Sequence, residues 1–272
     1  VADTRAPVRE EPTGIVMEAE PEAGKKRGRR VDRETLLMLT VPPALVLIAF
    51  AAFVVWRQNA EFTETELRQL AWTEIRSLLW QHVKLTVTSS VLVVAIAVPL
   101  GIALTRSGLR KFSPLVVGFA NIGQGAPSIG LIVLLAIWLG YGFWTSVLAL
   151  TLYGLLPVLR NTIVGLDGVD PTLVEAGRGL GMSAGSVLLR VELPLALSVI
   201  MAGVRTSLVL VVGTATLATF INGGGLGAII QTGISLFLPK LIVAGALLVA
   251  LLALFVEWLG RVLEFLARPK GV

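Results

Sequence analysis

The chain has 272 residues, 55% of them hydrophobic, with no cysteine, a formal net charge of +5 and a mean hydropathy of +0.83. Long uncharged runs make a bilayer the solvent for most of it, and the lack of cysteine excludes a disulfide framework and any thiolate metal site. The basic charge is split into short blocks between apolar runs, which fits the cytoplasmic loops of a membrane protein and not a nucleic-acid surface.

Residues 1–35 hold Pro7, Pro12, Pro21, several acids and the run Lys25-Lys26-Arg27-Gly28-Arg29-Arg30. Little here can fill a core, so the segment reads as a disordered basic cytoplasmic tail touching anionic lipid. The following uncharged run, residues 36–56, is long enough for a first transmembrane helix and too long for the apolar part of a signal peptide. Over 57–84, Leu67, Leu70, Ala71, Ile75, Leu78 and Leu79 recur at helical spacing among Glu64, Arg68 and Glu74. That pattern predicts an external amphipathic segment at the membrane interface, with His82 as an interfacial side chain.

A second span is expected over 85–105, followed by a basic loop with Arg106, Arg110 and Lys111. Phe112–Leu159 carries no formal charge over 48 residues. A single helix of that length would reach about 72 Å, against a hydrocarbon core of about 30 Å, so it crosses twice and turns at Gly140-Tyr141-Gly142. A polar stretch at 160–192 follows, then a fifth span from Pro194 to Gly223-Gly224-Gly225. Residues 226–239 are expected to be re-entrant or interfacial, residues 241–258 form the last span, and 261–272 form a cytoplasmic tail. The expected fold is an all-α membrane protein of about six transmembrane helices. Both termini lie inside, because the tail and the loops at 106–111 and 160–192 carry most of the Lys and Arg. Trp56, Trp72, Trp80, Trp138 and Trp144 then fall near the outer interface, as an aromatic belt requires.

The loop 160–194 is the informative segment. Asp170-Pro171 is a helix start, with Asp as N-cap and Pro at the first helical position; Gly181 stops that helix and Ser183 can cap a second. The result is a helix-Gly-helix knob between two spans, a shape suited to a groove on a partner protein.

At this point the sequence resembles the binding-protein-dependent permeases of ABC importers. Their signature is Glu-Ala-Ala, three residues, Gly, nine residues, Ile-x-Leu-Pro. Glu175, Ala176, Gly181, Leu193 and Pro194 stand at matching positions, while Gly177 replaces the second Ala and Val191 replaces Ile. The resemblance implies a type I importer permease core over 85–260, in which this loop is the coupling helix that docks on the ATPase subunit. The segments GQGAPSIGLIVLLAIWLGYG, LYGLLPVLRNT, GVDPTLVEAGRGLGM, VELPLALSVIMAGVRT and TLATFINGGGLGAII look like the branch importing glycine betaine, choline, carnitine and similar osmoprotectants. That likeness spans about residues 80–260 and leaves the tail and the first span outside.

No G-x-x-x-x-G-K-[ST] loop occurs, so the chain is expected to bind no cofactor and to be no enzyme, with ATP and Mg held by a partner ATPase. The other expected partners are an extracytoplasmic substrate-binding protein, a second permease chain and membrane lipid, all in the bacterial cytoplasmic membrane. The coupling set is Asp170, Pro171, Glu175, Ala176, Gly177, Gly181, Leu193 and Pro194. Gln124, Pro127, Pro157, Arg205, Gly223, Gly224 and Gly225 are candidates for path lining or gating, set against simple packing of small residues.

Several side chains keep two readings. Glu175 either meets the ATPase or pairs with Arg178 on its own helix. Arg205 either serves the path or sits at the inner interface. Glu257 and Glu264 are solvated or paired with Arg261. Trp138, Tyr141 and Trp144 anchor the interface or form a cage for a quaternary ammonium. The alternative cargo is methionine or another amino acid. The alternative class is an ion-coupled secondary transporter, which would need acids in the span cores.

Overall fold

The structure is a computed structural model, and it describes residues 33–267. The basic tail expected over 1–35 and the chain beyond Ala267 thus lie almost wholly outside the described residues. No strand occurs among the described residues. Five helices are long and apolar enough to cross a membrane, and six crossings result if one sharply bent pair counts as a span.

Helix α1 (Arg33–Asn59) is the first span and carries Pro42 and Pro43 inside it. Membrane helices tolerate such prolines because neighbouring groups re-satisfy the freed carbonyls. Helix α2 (Glu64–Gln69) begins with a reciprocal capping box. The Thr63 hydroxyl accepts from the Glu66 amide at 3.3 Å, and the Glu66 carboxylate accepts from the Thr63 amide at 2.8 Å.

Helix α3 runs unbroken over Trp72–Thr105, 34 residues. The expectation of one amphipathic segment over 57–84 followed by a span from residue 85 therefore divides differently: residues 72–84 are the first part of the second span's own helix. Tertiary packing explains this. Ile75 and Leu78 are buried against Leu226, Leu241 and Leu248, so this part of the apolar stripe faces protein, while Leu79 beside it stays exposed.

Of the two crossings expected over 112–159, the second is one continuous helix, while the first is a bent pair of shorter helices. Helix α4 (Ser113–Gly125) meets helix α5 (Ser128–Leu139) at a bend of 98°. Ala126 takes an extended conformation, as a residue before proline does, and Pro127 cannot continue the hydrogen-bond ladder. The turn at Gly140–Gly142 uses positive φ at Gly140 (86°) and Gly142 (137°).

Helix α6 (Phe143–Asp167) is the most buried of the crossing helices. It extends eight residues past Leu159, where the polar loop was expected to begin. Asn161 and Thr162 donate to the carbonyls of Pro157 (2.8 Å) and Val158 (2.7 Å), so polarity here does not end the helix. Two short helices, α7 (Pro171–Gly179) and α8 (Ala184–Val187), lead through a wide turn at Leu188–Glu192 into helix α9 (Leu193–Ala215). Small residues let α6 and α9 meet closely. The Ser207 hydroxyl donates to the Gly154 carbonyl at 2.7 Å, and a Cβ on Gly203 would lie 2.7 Å from the Pro157 carbonyl oxygen.

A tight helical turn at Thr216–Ile221 and left-handed residues at Asn222, Gly224 and Gly225 connect to helix α10 (Gly227–Ser235). The last span, helix α11 (Pro239–Ala267), continues through residues expected to belong to the tail.

Candidate functional site

The knob is built by local chemistry. Asp170 Oδ1 accepts from the Thr172 amide and from the Thr172 hydroxyl, each at 2.8 Å. These bonds, the amide first, hold the Asp170 carboxyl below the usual carboxylate range. Pro171 occupies the first turn, where its missing N–H costs nothing. At the other end, the Gly181 amide donates to the Arg178 carbonyl (2.9 Å) and the Met182 amide to the Gly177 carbonyl (3.1 Å). This paired closure needs a left-handed residue, and Gly181 supplies it with φ of 80°. Ser183 then accepts from the Ser186 amide and starts α8.

One face of the knob holds it to the bundle and the other is open. Gly177 is buried against Val187, Met182 and Val191. Leu173, Leu180 and Leu189 are exposed, Leu180 at 85%. Glu175, Ala176 and Arg178 are exposed beside them, while Leu193 and Pro194 are half-buried where α9 begins. Glu175 forms no ion pair with Arg178 among the described residues; both border a polar cleft that also includes Arg106, Arg110, Asp167 and Glu192.

The knob is tied to the spans by a pairing that sequence reasoning missed. Both guanidinium nitrogens at the tip of Arg106, which ends α3, donate to the two carboxylate oxygens of Glu192, Nη1 to Oε1 at 3.2 Å. Glu192 is 6% exposed. Arg110 adds a looser bridge to Asp167 at 3.4 Å. The available signal was an acid placed directly before Leu193-Pro194, where the polar stretch gives way to the fifth span.

The path candidates scatter over several levels. Gln124 and Pro127 flank the α4–α5 bend, and Pro157 lies under Gly203 in the α6–α9 contact. Arg205 pairs with Glu264 of α11 at 3.1 Å, and Glu257 pairs with Arg261 at 2.7 Å. Gly223, Gly224 and Gly225 pack on Ser146, Gln81 and His82 respectively. His82 is wholly buried and not interfacial: its Nδ1 accepts from the Leu226 amide (3.2 Å), which leaves Nε2–H to donate to the Val212 carbonyl (3.0 Å). Trp138, Tyr141 and Trp144 are exposed around the Gly140–Gly142 turn.

This arrangement has counterparts. The sequence is 44% identical over 182 residues to the glycine betaine/carnitine/choline transport system permease protein of Bacillus subtilis (strain 168), covering 67% of this chain and 83% of that one. It is 44% identical over 188 residues to a carnitine transport permease protein of Listeria monocytogenes, covering 69% and 85%. It is 40% identical over 186 residues to an osmoprotectant import permease protein of Salmonella typhimurium, covering 66% and 86%. Among solved structures, the inward-facing MetNI methionine ABC transporter superposes with a TM-score of 0.64 at 20% identity, covering 76% of this chain and all of that one. The fold is therefore that of an ABC importer permease. Residues 97–268, which include the knob, the end of α3 that holds Arg106 and the helices from α4 onward, match the family pattern of the binding-protein-dependent transport system inner membrane component, and the chain belongs to that family as a multi-pass membrane protein.

Proposed function

We propose that this chain is the transmembrane permease subunit of an importer for an osmoprotectant such as glycine betaine, choline or carnitine, and that α7 docks on a separate ATPase. The observation that carries the docking role is the exposed apolar tip, Leu173 and Leu180, on a short helix whose ends are fixed and whose base is anchored through Glu192 to Arg106. In water such a tip calls for a partner's groove. Its charged surroundings and the basic loops at the same end support a cytoplasmic position for it. The cargo reading draws on the named relatives, described as permeases for glycine betaine, carnitine and choline, for carnitine, and for osmoprotectant import.

In this reading ATP and Mg bind the partner chains. Their closure favours one of two permease states, and only that difference in affinity moves the equilibrium. Movement of α7 reaches α3 through Arg106 and α9 through Glu192, at the two ends of one ion pair. A loaded extracytoplasmic binding protein favours the same state and delivers solute between two permease chains. The bend at Pro127 and the stretch from Thr216 to Gly225, a tight helical turn followed by left-handed residues, interrupt the regular α-helix, which is tolerated at membrane depth where it faces protein or a cavity.

The test is ATP-driven uptake in proteoliposomes of the whole transporter, with glycine betaine, choline, carnitine and methionine as a panel, for wild type, Glu175→Lys and Gly181→Pro. The reading expects uptake of a quaternary ammonium solute, and loss of both uptake and ATPase co-purification in the variants. Full coupling in both variants rejects the docking role. Methionine uptake alone rejects the cargo.

A further inference from the structure

Helix α1 meets the rest of the bundle most closely near its two ends. Near its end, Phe53 is buried among Leu70, Ile75 and Leu226. Near its start, the Leu39 carbonyl accepts from Trp258 Nε1 of α11 at 2.8 Å. About 21 Å of helix separates the two contacts. Between them the outer face of α1 is exposed at Leu45, Leu47 and Ile48, the Phe50 ring centre lies 6.3 Å from that of Trp72, and Val46 and Phe50 border, with Leu79 of α3 and Leu251 of α11, a groove of about 370 Å³.

The groove is lined by apolar side chains with one exception, Arg76 of α3, at the end marked by Trp72. Arg76 is exposed and has no hydrogen bond or ion pair among the described residues. No acid lines the groove. Glu74 is two positions away on the same helix, and side chains so spaced do not share a face. Nearby, Arg57 is already committed: its Nε donates to the Leu70 carbonyl at 2.7 Å and its guanidinium lies 4.8 Å from the Trp72 ring centre.

Water does not suit this space, because a buried water needs two to four polar partners and the walls offer only Arg76, at the mouth. Left empty, the lining side chains would lose their dispersion contacts. The medium around a membrane-spanning bundle supplies hydrocarbon instead. The α11 wall from Leu248 to Phe255 extends about 10 Å, within the roughly 15 Å depth of one leaflet's hydrocarbon. A guanidinium at the mouth is the side chain whose planar fork best matches a phosphate. We propose that the groove between α1, α3 and α11 is a phospholipid site, with one acyl chain along Phe50 and Leu251 and the head-group phosphate on Arg76. The lipid would fill the gap under α1 and hold that helix to the permease core.

The test uses the assembled transporter in nanodiscs of phosphatidylglycerol and phosphatidylcholine, re-extracted in mild detergent and weighed by native mass spectrometry. Wild type is expected to keep one phospholipid per permease chain. Arg76→Gln should weaken retention about ten-fold, the equivalent of one charge-assisted hydrogen bond, and Arg76→Lys should restore part of it. Leu79→Trp, which fills the groove's rim and leaves Arg76 in place, should also expel the lipid. Variants are compared only where assembly and thermal unfolding match wild type, and Arg76→Lys serves if Arg76→Gln does not assemble. Wild type emerging without lipid, or retention unchanged in Arg76→Gln or Leu79→Trp, overturns the proposal. So does disulfide cross-linking of two permease chains through Leu79→Cys in this naturally cysteine-free sequence, since a second copy would then occupy the groove.

Discussion

Arg106 and Glu192 join the C-terminal end of α3 to the turn that launches α9, two guanidinium nitrogens on two carboxylate oxygens, 86 positions apart in sequence. Gly177 of α7 packs on Val187 and Val191, just before Glu192, so under the proposed docking role a push on α7 reaches two spans through this pair. Because Glu192 is buried and Arg106 is partly exposed, removing either partner leaves the other charge poorly solvated. Arg106→Gln or Glu192→Gln should lower stability by about 1–3 kcal/mol, below the roughly 3–5 kcal/mol for breaking a fully buried pair, because Arg106 keeps part of its solvent contact. The double variant should cost less than the sum of the singles. Thermal unfolding of the purified transporter checks this, and strict additivity would show that the pair does not interact.

Gly177 and Gly181 should respond in opposite ways to alanine. A Cβ on Gly177 would meet Val187 at 3.4 Å and Met182 at 3.5 Å, ordinary contact distances, and the residue is helical. Gly177→Ala should therefore stabilise α7 by about 0.5–1 kcal/mol with uptake unchanged. Gly181→Ala meets open space but must hold φ of 80°, at a cost of about 1–2 kcal/mol. Amide hydrogen exchange across residues 172–182 reads both effects.

The cap on α7 should be pH-dependent in a known direction. The Asp170 carboxyl titrates below its usual range because the Thr172 amide and hydroxyl bond its charged form. A depressed folded-state value means that the stabilisation is complete above the unfolded value of about 3.9 and is lost as pH falls through the lowered one. Protection of the Thr172 amide should weaken only on that acid limb. In Asp170→Asn the amide side chain still caps, and the acid dependence should vanish. An unchanged acid limb in that variant would assign it to another group.

His82 should exist as a single tautomer. Nδ1 accepts from Leu226 and Nε2–H donates to Val212, so ¹⁵N NMR of the chain's one histidine should give an unprotonated Nδ1 and a protonated Nε2. His82→Ala leaves a buried amide and a buried carbonyl without this partner and should destabilise by about 2–4 kcal/mol. A proton found on Nδ1 would contradict the geometry.

What the sequence made legible follows from how local each signal is. Asp170-Pro171, Gly181 and Ser183 act within a few residues of themselves, so both ends of the knob were readable before any fold was known. Hydropathy located the spans for the same reason. The unbroken course of α3 was not readable, because residues 72–84 look amphipathic until partners 130 and 144 positions away satisfy His82. Pro127 announced a break, but its 98° angle depends on packing: Ile132 and Ala136 of α5 sit against Ile221 beyond α9. Arg205 had two readings, and its partner Glu264 lies 59 positions downstream, beyond any local rule.

The central claim, that the α7 tip faces the cytoplasm and is gripped by the ATPase, is tested most directly by labelling one cysteine. Leu180 is 85% exposed at that tip, and the natural chain has no cysteine to interfere. With Leu180→Cys in sealed vesicles of known orientation, a membrane-impermeant maleimide should react only from the cytoplasmic side, and bound ATPase subunits should protect the thiol. Reaction from the external side, or equal reaction with and without the ATPase, would contradict the account.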